Sequence, residues 1–190
     1  MDRRTIIKQI SILTGAAFVG GEVFIQSGCK PGKSDKTLFP LNTEQIALLD
    51  EIGETIIPNT KTPGAKAIGI GTFMHKMVQD CYNAEQQKTF LNGLETIKTA
   101  FQKKYSTSFD KGANTQREEF LNELNVSMME YNKNKKDEDP GHYFSMIKQL
   151  TILGYFTSEA GATKALRYEA VPGKYDGAYP YKKGDKAWAT

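Results

Sequence analysis

Apolar residues in the central part of the chain recur at steps of three and four, the spacing of amphipathic helices. The first stripe follows Asn42 and Thr43, whose side chains can cap a helix, and Pro58 ends it. Few segments alternate as strands do. The pattern therefore predicts an all-α fold of about five helices within a domain spanning residues 42–190. The apolar positions of the five predicted helices are Ile46, Leu49, Ile52 and Ile56; Phe73, Met77, Val78 and Cys81; Phe90, Leu91, Leu94, Ile97 and Phe101; Phe120, Leu121, Leu124 and Met128; and Phe144, Ile147, Leu150, Ile152 and Leu153.

The helical period is lost from Val171 onward, where prolines, glycines and tyrosines predominate. We expect an extended aromatic C-terminal segment that lies on a surface, either that of its own domain or that of a partner. Aromatic residues and arginine are enriched in the centres of protein interfaces. The alternative is that these aromatic residues pack as the domain's own lid. The candidate partner-contact residues are Tyr155, Phe156, Glu159, Arg167, Tyr168 and Tyr175.

The first 28 residues have the features of an export signal, expected as a signal helix ahead of the domain. An apolar stretch of roughly 16 residues, from Ile10 to Ile25, is too short and too rich in glycine for a membrane span of about 20 residues. Arg3 and Arg4 precede it and resemble a twin-arginine signal, which routes folded proteins outward. The alternative is that the basic pair serves a general secretion signal.

The end of this segment, Gln26-Ser27-Gly28-Cys29, resembles a lipoprotein cleavage box. Cys29 would then become the first mature residue and carry the lipid that attaches the protein to a membrane. The polar, turn-rich residues 29–41 would form a tether. The expected location is exported, periplasmic or membrane-anchored, and the alternative is a soluble exported protein with a spare cysteine. With Cys29 occupied, Cys81 is expected to be a small buried hydrophobic residue.

Charge and motif content exclude several functional classes. A net charge of +3, from 25 basic and 22 acidic residues, is too small to indicate a nucleic-acid partner. Cysteines and histidines are too few and too scattered for a metal site. The sequence contains no nucleophile elbow, phosphate-binding loop, dinucleotide fingerprint or haem attachment motif. We therefore expect neither a catalytic residue nor a bound cofactor or metal in this chain.

Two smaller features have structural interpretations. Residues 69–71, Gly-Ile-Gly, lack the third glycine of a nucleotide-binding fingerprint and are predicted to form the turn that begins a helix. Asp50, Glu51 and Glu54 lie within helical reach of one another. On an amphipathic helix they are expected to form a solvated face and not an acid/base pair.

Two long blocks carry a family resemblance. The first is LDEIGETIIPNTKTPGA over residues 49–65, and the second runs from Gly-Tyr-Phe-Thr-Ser-Glu at residues 154–159 through Leu-Arg-Tyr at residues 166–168 to residue 177. Together they resemble the small subunit, called subunit 3 or gamma, of the gluconate 2-dehydrogenase family. The two blocks frame residues 42–177 of the chain.

This resemblance implies a specific set of partners. Members accompany a large flavoprotein of the glucose-methanol-choline type, which binds FAD and oxidises a sugar, sugar acid or polyol. A cytochrome c subunit with haem c often takes the electrons. The small subunit has no active site of its own and is required for maturation or export of the large one. The resemblance thus implies a non-catalytic accessory subunit of a membrane-associated dehydrogenase, with a free-standing exported lipoprotein that binds a small ligand as the alternative.

Overall fold

A computed structural model describes residues 41–136, 139–171 and 173–189. The predicted signal with Arg3 and Arg4, the lipid-attachment residue Cys29 and the tether up to residue 40 lie outside this range. Leu41, predicted as the last tether residue, is buried against the core. In the described part of the chain, no helix has the length and apolar character needed to cross a membrane.

The described residues form a small all-α domain, which confirms the predicted fold class. The five predicted helices are α1 Thr43–Ile56, α2 Ile70–Cys81, α3 Ala84–Tyr105, α4 Asn114–Asn134 and α5 Tyr143–Thr157. Short 3-10 turns lie at Lys66–Ile68 and Phe109–Lys111, and a π-helical turn spans Gly161–Ala165. Two short strands, β1 Arg167–Tyr168 and β2 Trp188–Ala189, pair in parallel.

Local side-chain hydrogen bonds explain where the helices begin. At the start of α1, the Gln45 amide N–H donates to Asn42 Oδ1 over 2.8 Å, and Gln45 Oε1 accepts from the Asn42 amide at 3.0 Å. This capping box satisfies amide groups that have no partner within the helix. Helix α2 follows Gly69, whose φ of 67° suits glycine, as predicted for this helix-start turn.

Helix α5 lies at the centre of the domain and packs against α1, α2, α3 and α4. The core therefore contains residues from every helix. The largest fully buried side chains are Leu49, Ile52, Ile70, Met74, Val78, Phe90, Leu94, Ile97, Phe101, Phe144, Ile147 and Tyr155.

Three predicted core positions are wrong. Ile152 and Leu153 are 42% and 46% exposed because α5 is apolar around most of its circumference, so the apolar stripe did not define which face is buried. Cys81 is exposed because it is the last residue of α2 and lies beyond the packed part of that helix.

Candidate functional site

The two blocks that carry the family resemblance contact each other in the folded domain. The Tyr155 hydroxyl donates a hydrogen bond of 2.7 Å to the Pro63 carbonyl, although 92 residues separate them. Beside it, α5 packs closely on α2 at Gly154, where a Cβ would lie 2.5 Å from Phe73 Cδ1 and 2.6 Å from Ile70 Cδ1. The blocks therefore form one structural unit in which α5 supports the loop between α1 and α2.

The three carboxylates of α1 maintain this unit. Asp50 Oδ1 accepts from the Gly71 amide at 2.7 Å and caps α2, which has no side-chain cap of its own. Glu54 accepts from the Asn59 amide at 2.8 Å and from the Lys66 amide at 2.9 Å, so it holds both ends of the loop.

Glu51 joins α1 to α4. Its Oε2 lies 2.6 Å from Arg117 Nη1, and its Oε1 pairs with Lys66 Nζ. Arg117 Nε also donates to the Gly112 carbonyl at 3.0 Å. The side chains of Glu51 and Arg117 are only 16% and 15% exposed. The expectation that the α1 carboxylates form a solvated face is therefore wrong, because each of them makes specific tertiary contacts.

The segment after α5 contains a tight turn. Ser158 Oγ donates to the Tyr155 carbonyl at 2.6 Å and accepts from the Gly161 amide at 3.1 Å. A Cβ on Gly161 would overlap the Tyr155 carbonyl oxygen, so only glycine fits this approach of the π-helical turn to the end of α5.

An exposed apolar strip lies on the outer face of α5 beside this unit. It consists of Ile152, Leu153 and Phe156, the last of which is 39% exposed, and we call it the α5 strip. At 100° per residue the three side chains fall within an arc of about 100°. The sequence pattern did not identify Ile152 and Leu153 as surface residues. One signal was available, because α5 contains more apolar residues than a single buried face requires.

The last part of the chain forms a loop fastened at its base, which we call the C-terminal loop (residues 169–187). The Arg167 amide donates to the Ala187 carbonyl at 2.8 Å, and the Glu169 amide donates to the Ala189 carbonyl at 3.0 Å. The Arg167 guanidinium lies 4.6 Å from the ring centre of Trp188 and 5.8 Å from that of Tyr179. The described residues of the loop are exposed, as predicted, and Tyr175 is 96% exposed.

The predicted contact residues thus fall into three groups. Tyr155 is 1% exposed and belongs to the core, which corrects its assignment to a contact surface. Arg167 is half-buried and holds the C-terminal loop, so for this residue the structure agrees with the alternative of a lid belonging to the domain itself. The remaining four, Phe156, Glu159, Tyr168 and Tyr175, are exposed and stay predictions as partner contacts.

Neither histidine belongs to a metal-like cluster, and among the residues that the structure describes no three histidine, cysteine, aspartate or glutamate side chains group together as metal ligands. His142 caps α5, since its Nδ1 accepts from the Phe144 amide at 3.2 Å. Burial lowers the pKa of His142, which keeps the ring neutral and able to accept this bond.

Comparison with known proteins identifies a family for the described domain. No curated protein and no solved structure shows significant similarity to the chain. The family model described as gluconate 2-dehydrogenase subunit 3 matches residues 43–173, a range that contains the five helices of the described residues, the π-helical turn and β1. The match covers well over half of the chain, so the chain belongs to the gluconate 2-dehydrogenase subunit 3 family.

Proposed function

We propose that this chain is a non-catalytic accessory subunit that binds, matures and exports an FAD-dependent dehydrogenase of sugars, sugar acids or polyols. The family name implies a subunit of a gluconate 2-dehydrogenase complex. The α5 strip is the observation that carries the proposal, because it offers a surface for a partner. The larger flavoprotein is the proposed site of FAD and of the oxidation, and a cytochrome c subunit with haem c is proposed to receive the electrons.

The energetics of the α5 strip favour a contact. Fully burying one large apolar side chain contributes about 1.5–3 kcal/mol, and single exposed apolar residues are common on protein surfaces. Three such residues on one helix face form a more extended apolar area. Phe156 of the strip belongs to the second block that carries the resemblance, residues 154–177, and the exposed residues Glu159 and Tyr168 of that block would extend the contact.

Disposition of the charged groups supports an accessory role. Asp50, Glu51 and Glu54 are the carboxylates closest together on α1, and all three accept hydrogen bonds or ion pairs that hold the α1–α2 loop and α4. A general acid or base requires a carboxyl group free to exchange a proton with a substrate. These groups instead serve the geometry of the domain.

The proposed route to the membrane rests on the sequence. A flavoprotein that folds around FAD in the cytoplasm must cross the membrane folded, and a partner with a twin-arginine signal at Arg3 and Arg4 can carry it across. A lipid on Cys29 would then hold the complex at the membrane. The proposed location is therefore exported and membrane-anchored, with residues 29–40 as the tether.

Co-purification from the native host tests the complex. The tagged chain should recover a larger, yellow, flavin-containing protein in near-stoichiometric amount. Leu153→Glu should reduce this recovery at least tenfold, because a charge would be buried in the contact. Val126→Glu is the matched control, since Val126 is an exposed apolar residue of α4 outside the strip.

Two results would contradict parts of this proposal. Recovery of the unaltered chain alone from its native host would exclude the complex. Equal recovery with Leu153→Glu and Val126→Glu, at matched thermal stability, would exclude the α5 strip as the contact while leaving the complex intact.

The export route has its own test. Replacing both Arg3 and Arg4 by lysine should leave the uncleaved precursor in the cytoplasm, and Cys29→Ala should move the exported protein from the membrane fraction to the soluble fraction. Normal export of the double-lysine variant would contradict twin-arginine routing. Unchanged membrane fractionation of Cys29→Ala would contradict lipidation.

A further inference from the structure

A cavity of about 330 Å³ opens between α1, α4 and the first half of α5. We call it the α1–α4 groove. Leu121 and Phe144 are buried and expose little area to the groove, and the half-buried Ile56 adds apolar contact surface. The residues that line the groove are Thr55, Ile56, Glu118, Leu121, Asn122, Asn125, Phe144 and Lys148.

Lys148 is the distinctive side chain of the groove. Its ammonium group is part-buried and donates a 2.7 Å hydrogen bond to Asn125 Oδ1, a neutral acceptor. The ion pairs between described residues involve Lys66, Lys104 and Arg117 as the cations, and none involves Lys148. A part-buried cation without a carboxylate partner retains a strong attraction for an anion, because partial removal of water strengthens the Coulomb interaction.

Glu118 does not supply the missing negative charge. It lines the same groove, but it precedes Asn125 by seven residues on α4, which corresponds to about 10 Å along the helix axis. Asn122 lies between them on α4, is exposed and also lines the groove. The groove therefore combines the Lys148 ammonium group with the exposed side-chain amide of Asn122.

We propose that the α1–α4 groove binds the carboxylate of a small amphiphilic acid. The Lys148 ammonium and the exposed Asn122 side-chain N–H contact the carboxylate, while the apolar body of the acid lies on Ile56 beside the buried Leu121 and Phe144. A volume of 330 Å³ equals that of about 11 liquid water molecules at ~30 Å³ each, which accommodates an acid of about eight non-hydrogen atoms. This site does not rest on the proposed role in a dehydrogenase complex.

Isothermal titration of the full chain with hexanoate tests the site, with hexanamide as the neutral ligand of the same shape. We expect a Kd of about 1 mM for hexanoate and at least tenfold weaker binding of hexanamide. Lys148→Gln keeps a donor for Asn125 but removes the charge, and it should weaken hexanoate binding at least tenfold. Lys98→Gln, an exposed lysine on α3, is the matched control and should leave the affinity unchanged.

Nuclear magnetic resonance locates the binding and keeps the test decisive. Hexanoate should shift the side-chain amide signals of Asn122 and Asn125 in the unaltered chain but not in Lys148→Gln. Equal binding of hexanoate and hexanamide, unchanged affinity in Lys148→Gln, or no binding up to 20 mM, about 20 times the expected Kd, would overturn the proposal. A further pair of results would also overturn the proposal: the unaltered chain binds no hexanoate, and Lys148→Gln no longer recovers the flavoprotein partner. The groove would then bind a carboxylate of another protein and not a small acid.

Discussion

The ion pair between Glu51 and Arg117 makes a quantitative prediction about the link between α1 and α4. Arg117→Met removes the 2.6 Å contact with Glu51 and the 3.0 Å hydrogen bond to the Gly112 carbonyl. Breaking a buried pair costs about 3–5 kcal/mol, whereas an exposed pair contributes about 0–1 kcal/mol. Both side chains are about one-sixth exposed, and Lys66 remains to pair with Glu51. We therefore expect the free energy of unfolding to fall by about 2–3 kcal/mol.

Thermal unfolding followed by circular dichroism measures this change. For a domain of roughly 150 residues, 1 kcal/mol lowers the midpoint by about 2–4 °C, so Arg117→Met should lower it by about 5–10 °C. A double-mutant cycle with Glu51→Gln isolates the pair, and we expect a coupling energy of about 1–2 kcal/mol. Arg117→Lys keeps the charge but loses the planar guanidinium group. Its melting midpoint should therefore lie between those of the unaltered chain and Arg117→Met.

Two ion pairs of Lys104 on the surface serve as the control. Lys104 contacts Glu119 at 3.3 Å and Glu123 at 2.6 Å, all three being well exposed, so Lys104→Met should change the midpoint far less than Arg117→Met. Equal losses for the two variants, or a coupling energy below about 0.5 kcal/mol in the cycle, would refute the assignment of Glu51 and Arg117 as a structural link between α1 and α4.

Three further predictions follow from other contacts. Burial lowers the pKa of His142 below 6.5, so the unfolded chain binds a proton at this residue more readily than the folded chain does. The stability of the domain should therefore fall as the pH drops below about 6.5. His142→Asn, which keeps a capping side chain, should reduce the loss of melting midpoint between pH 7.5 and 5.5. Gly161→Ala places a methyl group against the Tyr155 carbonyl and should cost about 1–3 kcal/mol or more in chemical denaturation, and a change below 0.5 kcal/mol would contradict the tight turn. Arg167→Ala removes the cation–π contacts that close the C-terminal loop, so chymotrypsin should cleave within that loop several-fold faster while the helical melting midpoint stays unchanged.

The helices were predictable because their signals are local. The apolar stripe of α1, the capping asparagine before it and Pro58 after it all lie within 17 residues, from Asn42 to Pro58. The turn at residues 69–71 was predictable for the same reason, since a glycine with positive φ begins α2. Local propensity and periodicity thus sufficed for the number and the order of the helices.

The surface and the tertiary contacts were less predictable because they depend on packing between distant residues. Tyr155 and Phe156 are adjacent aromatic residues, yet one is buried and the other exposed. The close approach of α5 to α2 at Gly154 accompanies this orientation of the helix. The partner of Glu51 is 66 residues away, and no spacing rule within α1 identifies Arg117.

The parallel pairing of β1 with β2 has a practical consequence for work on this protein. The residues that match the family end at 173, whereas Trp188 and Ala189 return to contact the Arg167–Tyr168 strand within that match. Trimming the polypeptide at the end of the recognisable homology would strip Arg167 of its aromatic neighbours and change the surface that a binding assay is meant to probe. An affinity handle fused after Thr190 would begin one residue from the same strand pair, so it requires a flexible spacer.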